Sequence, residues 1–193
     1  MLGFRTGSRC LAEKLDWYTL TNNWYVITGG PSSGKTTTVN ILKSRGYKTT
    51  VEDARHYIDL QRITGRKIED IRRNKAVFQR TVVDLQVQQE SLLDPNELVF
   101  LDRAIPDSLA YYRFTGLEST EKLLNAMANC SYKKVFIMEL LPLDHDYART
   151  EDDLDQLRIN ELISEVYETM SAPVVRVPVL EAEARADFIL ANL

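Results

Sequence analysis

The sequence predicts an α/β domain: a five-stranded parallel sheet with helices on both faces. Three observations predict it. Strand-like runs alternate with helical patterns from residue 22 to the end. The run Leu98-Val-Phe-Leu101 is apolar without interruption, as suits a strand buried on both faces. A glycine-rich loop joins the first strand directly to a helix. Right-handed crossovers then gather the strand ends along one edge, where such sheets bind ligands. The 193 residues suffice for one domain with a core and are too few for two of ordinary size.

Each element has its own signal. Residues 1–21 form an N-terminal extension, with a short amphipathic stretch at Cys10–Trp17, and 22–193 form the domain. Asn22-Asn23 is a turn signal before the strand Trp24–Thr28. A helix over Lys35–Ser44 turns Val39 and Leu42 to a core and closes at Gly46. Tyr47–Val51 is a short strand, and Asp53–Thr64 a helix stopped by Gly65. Ile68–Leu93 reads as one long helix, ended by Asp94-Pro95. Then come a strand at Glu97–Leu101, helices near 106–114 and 119–129, and a strand at Lys134–Met138. A helix over 151–170, a strand at Val174–Val177 and a helix over 181–192 complete the pattern.

Composition excludes several classes. Charged residues at 27% and hydrophobic ones at 44% rule out disorder as the dominant state. Eight glycines and two cysteines rule out collagen-like and disulfide-scaffold chains. The net charge of −4 makes a poor general binder of nucleic acid, so none is expected as a partner. Cys10 and Cys130 lack a CxxC partner and read as reduced thiols. No membrane span, signal peptide or myristoylation pattern is present, which gives a cytoplasmic expectation by elimination.

Chemistry concentrates in one motif. Gly29-Gly30-Pro31-Ser32-Ser33-Gly34-Lys35-Thr36 fits G-x-x-x-x-G-K-[ST] between a strand and a helix, the P-loop of nucleotide-binding proteins. Its glycines let successive N–H groups face phosphate oxygens, and the helix N-terminus adds a positive dipole end. Lys35 is expected at the β/γ-phosphates and Thr36 on Mg²⁺. The third strand leads into Asp102, in Walker B form; Asp102 is expected to hold Mg²⁺, or else to cap the next helix. Asn74-Lys75 lacks the Asp that guanine-reading proteins carry, and the short chain suits a small-molecule kinase.

Other residues are candidates for the acceptor side. Arg103 follows Asp102 directly and suits a phosphoryl group, because guanidinium gives planar bidentate contacts. Glu52 or Asp53 can orient an acceptor hydroxyl and accept its proton, or compensate a helix N-terminus; Arg55 follows one turn on. Phe78, Val82 and Leu85 make an apolar stripe, and Gln79, Val83, Gln86 and Glu90 a second one beside it. The second stripe reads either as amides facing a cleft or as a solvated flank. Arg149 stands where small kinases close a lid over the phosphates; Thr150-x-x-Asp153 also reads as a capping box. Lys and Arg at 62, 66, 67, 72, 73, 75 and 80 read as a solvated helical face, and His56 and His145 have no metal-spaced partners.

These segments together resemble a family of small P-loop proteins described as AAA-type ATPase/kinase-like domains. They are similar to the ribosylnicotinamide-kinase domain of NAD-metabolism proteins and, more distantly, to deoxynucleoside and thymidylate kinases. The resemblance rests on Tyr25 through Thr37, Glu52-Asp-Ala-Arg55, Phe78-Gln79 with Gln86 and Glu90, Phe100-Leu-Asp-Arg103 and Pro106 through Tyr112. Arg149-Thr-Glu151, Tyr167-Glu168, Val177-Pro178 and Arg185 through Leu190 extend it. It implies a nucleoside/nucleotide-kinase-like P-loop NTPase fold. The implied site takes ATP at Gly29–Thr37, Mg²⁺ at Thr36 and Asp102, and a small acceptor at Glu52, Arg55, Gln79, Gln86, Glu90 and Arg103. Lys35, Glu52, Asp53, Arg103 and Arg149 are the implied catalytic groups. Deoxynucleoside kinases carry acid–Arg–Ser where this chain has Asp102-Arg103-Ala104. A eukaryotic relative looks like a GTP- and phospholipid-binding trafficking protein. The expected function is therefore ATP- and Mg²⁺-dependent phosphotransfer to a small acceptor, with a nucleotide-dependent regulatory binding protein as the alternative.

Overall fold

The computed structural model describes residues 22–142 and 152–193. Strand β1 (Trp24–Thr28) is buried along its whole length and is followed by α1 (Lys35–Ser44), β2 (Lys48–Thr49) and α2 (Asp53–Ile63). Next come α3 (Ile68–Arg73), α4 (Lys75–Ser91), β3 (Val99–Asp102), α5 (Ile105–Thr115) and α6 (Glu121–Asn129). The chain ends with β4 (Lys134–Met138), α7 (Asp153–Glu168), β5 (Val174–Val177) and α8 (Ala182–Ala191).

All strand pairings are parallel, in the order β2-β3-β1-β4-β5. The predicted five-stranded α/β sheet is thus observed. Alternation along the strands sorts side chains onto two faces. Trp24 and Val26 join Val99, Leu101, Val135 and Ile137 in a core closed by Ile159, Ile163 and Tyr167 of α7. Tyr25 and Ile27 join Phe100, Phe136 and Met138 in the opposite core, closed by Val39 and Leu42 of α1 and Ile189 of α8. Both faces of β1 are therefore dry, and its C-terminal end is fixed from two sides.

Several boundaries differ from the sequence expectation. The single helix predicted over Ile68–Leu93 is two helices, broken at Asn74. The Asn74 side chain accepts from the Val77 N–H at 3.1 Å, so Asn74 caps α4 instead of continuing α3. The predicted stripe Gln79, Val83, Gln86 and Glu90 is buried, not a solvated flank, because α4 packs on α2 with one side and on α5 with the other. The third strand runs one residue further than expected, so Asp102 is its last residue. Helix α7 is capped by Asp152, whose side chain accepts from the Asp155 N–H at 2.8 Å. The capping box expected at Thr150 lies outside the described residues, as do the N-terminal extension 1–21 and His145. Arg62, Arg66, Lys67, Arg73, Lys75 and Arg80 are exposed, but they are spread over α2, the turn after it, α3 and α4 and do not form the one helical face expected.

Candidate functional site

The chain leaves β1 at Thr28 and turns at once into the glycine-rich loop. Gly29 has φ 140°, and a Cβ there would lie 2.7 Å from the Met138 carbonyl oxygen of β4. Only glycine fits so close to a neighbouring strand. Gly34 (φ 79°) is the N-cap of α1, in the left-handed region that side chains disfavour.

Each carbonyl from Gly29 to Gly34 has a donor. Gly29 O accepts from Arg103 Nη1 at 3.3 Å, and Gly30 O from Lys35 Nζ at 2.7 Å and Ser33 Oγ at 2.9 Å. Pro31 O accepts from Gln156 Nε2 at 2.9 Å, Ser32 O from the Leu141 N–H at 3.3 Å, and Ser33 O from Arg185 Nη1 at 2.6 Å. Gly34 O accepts from the Thr38 N–H at 3.1 Å. The Gly30 N–H is held by Asn160 Oδ1 at 3.0 Å. A planar peptide points its N–H opposite to its C=O. Pro31 O and Ser33 O, tied to α7 and α8, therefore turn the N–H groups of Ser32 and Gly34 away from those helices, toward the positive end of α1.

Lys35 is buried and bonds its own loop, to Gly30 O and to Ser33 Oγ at 3.0 Å. Burial, then repulsion from Arg103, brings its ammonium down to about 7 against the pull of Glu52, Asp102 and Asp107. Thr36 Oγ1 donates to Asp102 Oδ2 at 2.9 Å, joining the two residues expected at Mg²⁺. The other oxygen, Asp102 Oδ1, is buried without a hydrogen-bond partner. Burial and the nearby Glu52 raise Asp102 to about 7. An orphaned carboxylate oxygen beside a hydroxyl fits a magnesium ion that keeps waters and phosphate oxygens as its other ligands. Such a site needs no cluster of three acidic or histidine ligands, and none occurs among the described residues.

Arg103 follows with φ 68°, a left-handed turn that swings its side chain back under the loop. It is buried, with Nε on Glu52 Oε1 at 3.1 Å and Nη1 on Asp107 Oδ1 at 2.9 Å. Tyr111 contacts it twice, by its ring at 5.3 Å and by its hydroxyl at 3.3 Å. Glu52 also lies 3.7 Å from Arg55. Burial would raise Glu52, but Arg103, Lys35 and Arg55 outweigh it and hold the group below the usual carboxylate range. Asp53 differs: burial first, then Glu52 and Asp102, push it up to about 7, against a hydrogen bond from Gln89 at 2.7 Å. The adjacent carboxyls are thus set apart, one held as an anion and one poised to carry a proton.

One cavity of about 580 Å³ is lined both by Pro31–Thr37 and by Glu52, Asp53, Arg55, Gln79, Gln86 and Arg103. Ile58, Phe78, Val82 and Tyr111 add apolar wall. Gln79 makes no side-chain hydrogen bond among the described residues, so its amide is unengaged. Gln86 is engaged at both ends, accepting from Ser108 Oγ at 2.5 Å and donating to Ala104 O at 3.2 Å. Glu90, expected in the acceptor site, does not line this cavity. It accepts from the Ile105 N–H at 3.1 Å and from Tyr132 Oη at 3.0 Å, tying α4 to the start of α5. Arg149 lies outside the described residues. Arg158 is exposed and pairs with Glu161 and Glu165 on its own helix.

The sequence gives no individual role to Asp107, Gln156, Asn160 or Arg185, although Asp107 and Arg185 fall in segments that carry the family resemblance. Asp107 Oδ1 accepts from Thr28 Oγ1 at 2.5 Å and from Arg103; Oδ2 accepts from Tyr167 Oη at 2.6 Å and from the Ala104 N–H at 3.1 Å. An acid at the third position of a helix was its signal. Gln156, Asn160 and Arg185 reach the loop from far along the chain, and no local pattern marks them.

A sequence model for the family described as "AAA domain" matches residues 24–185. No curated protein matches the chain in sequence. Solved structures similar to it include deoxyadenosine kinase from M. mycoides with bound dATP, at 15% identity and TM-score 0.62, covering 88% of this chain and 98% of that one. Shikimate kinase from Acinetobacter baumannii in complex with shikimate is similar at 16% identity and TM-score 0.56, covering 89% and 92%. The NadR protein in complex with NR matches at 18% identity and TM-score 0.57, covering 89% of this chain and 51% of NadR. At these identities the likeness speaks for the fold. The chain belongs to the AAA-domain family and has the P-loop fold of nucleoside and nucleotide kinases.

Proposed function

We propose that this protein is an ATP- and Mg²⁺-dependent kinase that phosphorylates a hydroxyl of a small acceptor. One observation carries the reading: a single cavity is lined by the phosphate loop and by the Glu52–Arg103 pair, so donor and acceptor can meet in it. In this reading Gly29, Gly30, Pro31, Ser32, Ser33, Gly34, Lys35, Thr36 and Thr37 cradle the triphosphate. Lys35 leaves Gly30 O for the phosphates, and the ammonium is favoured once anionic oxygens replace that carbonyl. Thr36 and Asp102 hold Mg²⁺, which supplies charge neutralisation to the β- and γ-phosphates when bound.

Glu52 accepts the acceptor's proton as its oxygen bonds the γ-phosphorus and the bond to the β,γ-bridging oxygen breaks, releasing ADP. Arg103, fixed on Glu52 and Asp107, and Arg149 balance charge on the transferred group. Arg55, Gln79, Gln86 and the aromatic wall bound the acceptor side. Gln79 offers the unengaged amide, and Glu90 acts through α5 instead of touching the acceptor. The substrates, ATP and a small polar molecule, put the reaction in the cytoplasm. Among the described residues no helix is long and apolar enough to cross a membrane.

The test is acceptor-stimulated ADP release over a panel of nucleosides, sugars and hydroxy acids. Stimulation by one acceptor, with a phosphorylated product detected by mass, is the expected result. Nucleotide-dependent binding to liposomes or to a protein partner without stimulation would replace this reading with that of a regulatory binding protein.

A further inference from the structure

Arg185 stands out among the buried cations. It lies on α8, is 1% exposed, and donates through Nη1 to Ser33 O at 2.6 Å. Its Nε and Nη2 are buried with no hydrogen-bond partner. It makes no ion pair with a described residue, whereas Arg103 has two carboxylates. Burial lowers its pKa, countered only by the more distant charge of Glu139. A guanidinium nevertheless stays protonated near neutrality. A buried charge with vacant donors costs stability, and a well-packed apolar residue of similar size would remove that cost.

The position gives this charge a role. Nη1 would lie 3.1 Å from a Cβ on Gly34, directly behind the N-cap of α1. By holding Ser33 O toward α8, it turns the opposite edge of that peptide, the Gly34 N–H, away from α8. Its charge adds to the positive end of α1 from the side a ligand does not occupy.

We propose that Arg185 is a positioning residue of the phosphate loop, whose charge finds its counter-charge only when a polyphosphate binds. The proposal rests on the reading of Gly29–Thr36 as a triphosphate cradle. It differs from a packing role in one sign: removing the charge weakens polyphosphate binding without destabilising the empty protein.

The test compares the full chain with Arg185→Met and Arg185→Lys. Unfolding midpoints are measured without nucleotide, and Kd values for ATP, ADP and adenosine by calorimetry with Mg²⁺. Arg185→Met is expected to weaken ATP about tenfold, ADP less, and adenosine not at all, with a midpoint no lower than wild type. Arg185→Lys, which keeps the charge but not the planar fork, recovers part of the ATP affinity. A lowered midpoint with unchanged ATP affinity, or equal losses for ATP and adenosine, overturns the proposal. If Arg185→Met does not fold, Arg185→Lys decides: its ATP affinity must fall relative to adenosine. Failure of the wild type to bind ATP at all would instead overturn the triphosphate cradle.

Discussion

At the residue scale, the site depends on how two carboxylates share one arginine. Glu52 and Asp107 both bond the Arg103 guanidinium and both line the cavity, but Glu52 is the more accessible of the two, at 17% side-chain exposure against 1%. Glu52→Gln keeps the shape and removes the proposed base. It is expected to lower turnover about 10²-fold or more while ATP affinity stays within a factor of two or so; steady-state kinetics beside calorimetry checks this. Asp107 takes four donors on two oxygens. Asp107→Ala leaves a buried cation half-paired and is expected to cost about 3 kcal/mol, read as a lower urea midpoint. Lys35→Met should abolish turnover with the fold intact by circular dichroism. Retained turnover would remove Lys35 from the mechanism.

At the scale of elements, α4 does more than its sequence suggests. Its buried face carries Gln86 and Glu90, which bond Ala104, Ile105 and Ser108 just after Arg103, and Glu90 also bonds Tyr132. Burial raises Glu90 from 4.5 to about 7, against its bonds to Ile105 and Tyr132. Between those values the folded chain holds a proton that the unfolded chain has released. Stability from this group is therefore lost as pH rises through that window, and the cost persists above it. Glu90→Gln abolishes the titration, so its stability relative to wild type should be greater at pH 8 than at pH 5, by on the order of 2 kcal/mol. Urea unfolding at both pH values measures the difference. Asn74 shows what local reading missed. Helical periodicity continues on either side of it, so hydrophobic spacing alone predicts one helix. The break is stated only by a side chain that competes with the backbone, and Asn74→Ala should cost about 1 kcal/mol.

At the scale of the molecule, ligand binding and stability are linked. In the proposed function a triphosphate satisfies cations and N–H groups that are buried or constrained without it. At a hundredfold excess over its Kd, Mg²⁺ATP should raise the unfolding midpoint by roughly 5–10 °C, and chelation of Mg²⁺ should remove much of the rise. The fold and the loop were legible because both are written locally: alternating periods for the layers, and an eight-residue signature for the cradle. The acceptor side was legible only in outline. Glu52, Arg55, Gln79 and Arg103 do meet in one cavity, but Glu90 turns to a backbone amide that no sequence spacing reveals. The loop's outer support was not legible as such: Arg185 opens a segment that carries the resemblance, but nothing local shows that it, Gln156 and Asn160 close on the loop.

The strand order has a consequence for how the protein is made. Trp24 of β1 pairs with Val99 on one side, and Tyr25 pairs with Lys134 on the other. Neither neighbour is close in sequence, so β1 cannot join the sheet while it is leaving the ribosome. The chain must hold an apolar strand unpaired until Val99 and Lys134 have been made, and the high contact order slows the step that finally buries it. The loop Gly29–Thr36 gains its outer support only once Gln156 and Arg185 have been made. Truncated chains ending before Lys134 are accordingly expected to aggregate through β1 rather than to bind nucleotide.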